Sequence, residues 1–157
     1  FRTQVETVIA TGLKPTHLDS HCHIHIRRKD IFEMTSSLSK EYGIALRVGS
    51  REFIDSLRKQ GFPTDDHSTL DSYRLETRDK PVLYPKLLRE LPPGLSEWAI
   101  HPGIGDEELK SIMPDWEVRQ ADFDFFTSKE AREIVEEENI NIISYRPLLD
   151  AWERIRY

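Results

Sequence analysis

The sequence predicts an α/β fold with mainly parallel strands, either an open sheet or one closed into a barrel. Three observations lead there. Short apolar runs alternate with segments of helical period. Gly and Pro punctuate the junctions between them. No internal repeat, low-complexity tract or linker divides the 157 residues, so a single domain over 1–157 is expected.

The elements follow in order. FRTQVETVIATGL opens in mid-helix, with Phe1, Val5, Val8 and Ile9 on one stripe and Gly12 suited to a C-terminal cap. No N-cap precedes Phe1 and no methionine starts the chain, so a larger protein with a preceding part is expected. Lys14-Pro15 breaks the helix, and 16–20 reads as a strand. The segment 30–42 reads as a helix closed by Gly43, and 44–48 as a buried strand. Ser50 is placed to cap REFIDSLRKQ, which ends at Gly61. Residues 61–81 lack any period and read as a long loop, a class that is commonly functional or disordered.

Val82 to Leu91 reads as a helix stopped by Pro92-Pro93-Gly94, and 95–100 as a strand running into His101-Pro102-Gly103. A short acidic helix is expected over 106–112, and an aromatic-rich one, DWEVRQADFDFF, starts at Asp115. Ser128 caps KEAREIVEEEN, with Glu130 and Glu133 suiting its first turns. A last strand is expected over 140–144, and Pro147 suits the start of a terminal helix.

Composition narrows the function classes. Charged residues make up 32% and hydrophobic ones 38%, with a formal charge of -6. The basic residues are scattered, so no nucleic-acid or anionic-membrane footprint is visible. No apolar run approaches the ~20 residues of a membrane span. One cysteine, Cys22, excludes an internal disulfide framework and fits a reducing, cytoplasmic setting. There is no GxGxxG, P-loop, GxSxG or paired-cysteine motif.

Chemistry concentrates in THLDSHCHIHIR, which holds four of the six histidines. In an extended strand, His17, Asp19, His21, His23 and His25 share one parity, and Leu18, Ser20, Cys22, Ile24 and Ile26 the other. That places Cys22 on the apolar side, against a nucleophilic role. The run follows a strand, where parallel sheets put catalysis at the carboxyl end. Neutral imidazoles bind zinc and other divalent ions, and a carboxylate can orient such a ring. Both His21 and His23 could bind one ion, or one could bind while its neighbours serve substrate. A packed or solvated role is the competing reading, and it weighs most at His17 and His25. His101 also follows a strand and could act as acid or base. His67 in the long loop and Arg146 after the last strand could touch a sugar, or could be solvated and structural.

KPTHLDSHCHIHI, ELPPGLSEWAIHPG and INIISYRPL together resemble the YdjC-like carbohydrate deacetylase family, which includes chitooligosaccharide deacetylases. The resemblance implies a (β/α) barrel-like fold, a divalent metal such as magnesium or zinc, and removal of the acetyl group from an N-acetylated oligosaccharide. His21 matches a metal ligand, with Asp19 and His23 close to the metal. Asp19 and His101 are the expected catalytic residues, and His25, His67 and Arg146 the expected substrate contacts. The family's opening strand, with its N-A-D-D-F-G motif, and a further ligand histidine have no counterpart here. Such a barrel takes ~250 residues, so the chain is expected to be a C-terminal portion. Alone it is expected to have little or no activity, and an exposed sheet edge would invite a homodimer.

Two rivals stand beside this reading. DSHCHIH also resembles the opening metal motif of TatD-like or PHP-type phosphoesterases and amidohydrolases. Those families carry it on the first strand and need more downstream ligands than His67 and His101. The other rival is an inactive fragment or sugar-binding module.

Overall fold

A computed structural model describes the backbone of residues 1–156 and the side chains of 1–151. Its contacts gather into two compact units. One comprises Phe1–Ser68 with the chain from Ile143 onward, and the other Thr69–Ile142.

The first unit starts with helix α1 (Arg2–Ala10), whose stripe buries Val5 while Phe1, Val8 and Ile9 keep substantial exposure. Strand β1 (His17–Leu18) follows, then a 3-10 turn over His21–His23 and the short helix α2 (Ile24–Arg27). Helix α3 (Lys29–Tyr42) packs on α2 and ends where Gly43 adopts φ +65°, returning its N–H to the Ser39 carbonyl. Only glycine takes that left-handed conformation without steric cost, so Gly43 sets the helix end. Strand β2 (Ala45–Leu46) pairs parallel with β1, His17 opposite Ala45 and Leu18 opposite Leu46. Helix α4 (Arg51–Lys59) completes the core, in which Phe32, Leu46, Val48, Ile54, Leu57 and Phe62 pack together. A terminal helix, here α9, runs over Arg146–Arg156.

The second unit pairs β3 (Leu70–Asp71) with β4 (Trp98–Ala99), again parallel, Leu70 opposite Trp98 and Asp71 opposite Ala99. Helix α5 (Lys80–Arg89) takes Pro81 into its first turn, where the missing N–H costs nothing. A short helix follows β4. Helix α6 (Glu107–Ile112) is capped by Asp106, whose carboxylate accepts from the Leu109 N–H at 2.9 Å. Helix α7 (Trp116–Phe126) then leads to α8 (Lys129–Glu137), capped by the Ser128 hydroxyl at 3.0 Å from the Ala131 nitrogen. Helices α5, α7 and α8 pack on one another around Tyr84, Leu88, Phe125, Ala131 and Ile134.

The chain is therefore mixed α/β, mostly helical, with short parallel strands. Three expectations need correction. The strands are two residues each, shorter than the apolar runs that mark them. The stretch 61–81 is not one loop: it holds β3, two 3-10 turns at Ser72–Arg74 and Thr77–Asp79, and the start of α5. No strand forms over 140–144. There Ile140 folds back, donating its N–H to Val135 and packing on the second core, while Ile142 is 82% exposed. Among the described residues the segment pairs with no strand, and beyond Ile140 its apolar side chains Ile142 and Ile143 stay exposed. Among the described residues no helix is long and apolar enough to cross a membrane.

Candidate functional site

The histidine run does not continue as a strand. After Ser20 the chain turns, and Cys22 and His23 adopt φ of +52° and +55°. Two consecutive non-glycine residues in the left-handed region are sterically costly, and such strain gathers at functional sites. The turn breaks the parity predicted for a strand. Cys22 is exposed and not on an apolar face. His21 is exposed, His23 half-buried, and His25 buried at 1% exposure.

His25 is held on both sides of its ring. Nε2 lies 2.6 Å from the Arg47 carbonyl, to which it donates, so Nδ1 carries the lone pair and accepts from the Ser20 hydroxyl. Burial pushes its pKa below the ordinary histidine value, against the Arg47 carbonyl, which raises it. His25 is thus a neutral, structural histidine. Both of its nitrogens are engaged within the chain. Asp19 is engaged too: one oxygen accepts the Ser20 N–H at 2.7 Å, and the other pairs with the Arg47 guanidinium at 2.9 Å.

Asp19, Ser20 and His25 line a cavity of about 300 Å³ in the first unit, with Val5, Val8 and Leu38 as apolar wall. His21 and His23 do not line it. His17 stacks on Tyr145 with ring centroids 4.0 Å apart. His67 sits half-buried in a bend ahead of β3. Arg146 is exposed at the start of α9, with its guanidinium 3.5 Å from the Lys14 carbonyl. Among the described residues no group of three or more His, Cys, Asp or Glu is placed to hold a metal ion.

His101 belongs to the second unit, just past the carboxyl end of β4. Ser72 stands just past the carboxyl end of the neighbouring β3, and its hydroxyl meets His101 Nδ1 at 3.1 Å. Tyr73 packs edge-on against the imidazole. The His101 backbone N–H donates to Asp122 at 2.7 Å. Asp122, on α7, is fully buried and pairs with buried Lys80 at 3.0 Å, while the Tyr84 hydroxyl donates to the same oxygen. Burial works to raise the Asp122 pKa, but Tyr84, the His101 N–H, Ser72 and Lys80 outweigh it and hold the carboxyl below its usual range. Burial and the neighbouring carboxylate push the Tyr84 phenol well above its ordinary value. Sequence reasoning missed this cluster. Lys80 and Asp122 stand 42 residues apart in no motif, and nothing local marks either as buried.

A family model for YdjC-like proteins matches residues 1–137. The chain belongs to the YdjC-like family. It is 27% identical over 151 residues to a carbohydrate deacetylase of Clostridium beijerinckii, covering 94% of this chain and 59% of that protein. A carbohydrate deacetylase of Enterococcus faecalis is 27% identical, with 92% of this chain and 57% of that protein covered. A chitooligosaccharide deacetylase of Escherichia fergusonii is 51% identical over a stretch of 37 residues, 24% of this chain and 14% of that protein. The crystal structure of a proposed cellobiose-phosphate cleavage protein from Enterococcus faecalis superposes with a TM-score of 0.71 at 26% identity, over 94% of this chain and 58% of that one. The chain thus spans under three fifths of the length of the carbohydrate deacetylases it matches.

Proposed function

We propose that the natural polypeptide carrying this sequence is a carbohydrate deacetylase. It hydrolyses the N-acetyl group of an N-acetylated sugar, a chitooligosaccharide being the substrate class proposed. The observation that carries the reading is membership of the YdjC-like family, joined to a histidine built into the carboxyl end of a parallel strand pair. Relatives named carbohydrate deacetylases support it.

In this reading water adds to the acetamide carbonyl, the C–N bond breaks, and acetate and the free amine leave. His101 supplies the proton that the departing amine takes up. The backbone N–H bond to Asp122 and the Ser72 contact hold His101 in place for that transfer. Dependence on a divalent cation, magnesium or zinc, is part of the proposal, with His21 and His23 as the donors this chain brings. Arg146 and His67 are proposed sugar contacts. Asp19, paired with Arg47, is proposed to act by fixing the turn that carries His21 and His23.

Acetate release from N-acetylated chitooligosaccharides tests the reading. Release that is lost on His101→Gln supports it, and absence of release in the natural polypeptide overturns it.

A further inference from the structure

We propose that Arg119 is an acetate-binding residue of the second unit: beside His101, its guanidinium takes the oxygens of the acetyl group once they carry negative charge. The inference deepens the reading of the protein as a deacetylase and rests on it for its catalytic meaning, though not for the binding of acetate itself.

Position comes first. One turn of α7 clasps both ends of His101-Pro102-Gly103. Asp122 Oδ2 accepts the His101 N–H at 2.7 Å, and the Arg119 carbonyl accepts the Gly103 N–H at 3.1 Å. Residues three apart share a helix face, so Arg119 stands with Asp122 on the side of α7 that meets this turn. A Cβ on Gly103 would lie 3.4 Å from Arg119 Cβ and 3.7 Å from its Cδ. The aliphatic stem of Arg119 therefore runs along Gly103, two residues past the proton donor, in space that a side chain at 103 would crowd.

The guanidinium at the end of that stem lacks a counter-charge. Arg119 is half-buried, and its Nε is buried with no hydrogen-bond partner. Among the described residues no carboxylate pairs with it. Asp122 is already engaged: Lys80 and Tyr84 donate to one oxygen and the His101 N–H to the other. Acids are not scarce, with 28 of them against 22 basic residues. Burial strips a cation of the water that would solvate it, so an unpaired one is costly to keep. A guanidinium is a planar fork of N–H donors with no acceptor, and its match is a carboxylate that takes two parallel bonds. In the proposed reaction water adds to the acetamide carbonyl, the C–N bond breaks, the amine takes its proton from His101, and the acetyl group leaves as a carboxylate. Negative charge thus develops on the acetyl oxygens while the substrate amide itself is neutral. A fork that binds the charged form more strongly than the neutral one lowers the barrier.

Nitrogen-resolved NMR of the chain reads the Arg119 Nε–H, assigned through its bonds to the Arg119 backbone. Sodium acetate, titrated against sodium chloride at constant ionic strength, is expected to shift that signal to saturation, and chloride to leave it in place. No shift with acetate, or an equal shift with chloride, overturns the proposal, and that measurement needs no variant to fold. In the natural polypeptide Arg119→Met is expected to lower kcat by about 10²–10³-fold, the usual loss on removing one oxyanion donor, with KM nearly unchanged. Arg119→Lys, which keeps the charge but not the fork, should recover part of it. A stem that only packs on Gly103 would leave the acetate shift absent and kcat intact, and an Arg119→Met protein with the parent's kcat overturns the proposal. Acetate binding at Arg119 in a natural polypeptide that releases no acetate from a sugar would strike the functional reading alone.

Discussion

The Lys80 ammonium and the Asp122 carboxylate form an ion pair at 3.0 Å, with neither side chain more than 1% exposed. Removing one member leaves the other charge buried without its partner, which costs about 3–5 kcal/mol. Lys80→Met is expected to lose that much stability in urea unfolding, and Tyr84→Phe about 1.5–3 kcal/mol, the worth of a hydrogen bond to a charged group. A Lys80→Met protein that unfolds at the same urea concentration as the parent would show the pair to be dispensable.

His25 should make stability depend on pH. Its folded-state pKa lies below the ordinary value of 6.5, chiefly because the ring is buried. The unfolded chain therefore binds the proton first as pH falls, and stability drops from about pH 6.5 down through the folded-state pKa. Above that window the contribution is fully present. Thermal melts from pH 7.5 to 5 should show this loss, and His25→Gln should flatten it. An unchanged slope in the variant would place the titration elsewhere.

The left-handed Cys22 offers a conformational test. An L-residue in that region carries about 1–2 kcal/mol of strain, and glycine carries none, though it costs roughly 0.5–1 kcal/mol in added freedom of the unfolded chain. Cys22→Gly is expected to be neutral or to stabilise by up to about 1.5 kcal/mol. Differential scanning calorimetry decides, and destabilisation beyond 1 kcal/mol would contradict the strain assigned to the turn.

These residues also show what a sequence can reveal. The helices were legible because their ends are chemical: Gly43, Asp106 and Ser128 stop or cap them through bonds to nearby backbone. The parallel pairing was legible from the alternation of apolar runs with helices. The length of the strands was not, since pairing depends on a distant partner. The alternation of histidines suggested one polar face, but nothing local reveals that Cys22 and His23 turn left-handed. For His101 the position after a strand was readable. Its anchors Ser72 and Asp122 were not, because ordinary serines and aspartates become special only by burial.

The metal proposal is open to a direct trial. No three-donor group assembles among the described residues. The 157-residue chain alone is therefore expected to show little turnover and weak divalent binding in calorimetric titration. In the natural polypeptide, chelation should abolish acetate release and magnesium or zinc restore it, with His21→Ala and His23→Ala each raising the metal concentration needed. Full activity after exhaustive chelation would remove the metal from the account.

The most direct trial of the central claim is acetate release from an N-acetylated chitooligosaccharide by the natural polypeptide, measured beside its His101→Gln variant. The account predicts release in the first and a fall of about 10²–10⁴-fold in the second, the usual worth of a positioned acid or base. No release from the natural polypeptide, or equal release from both, would contradict it.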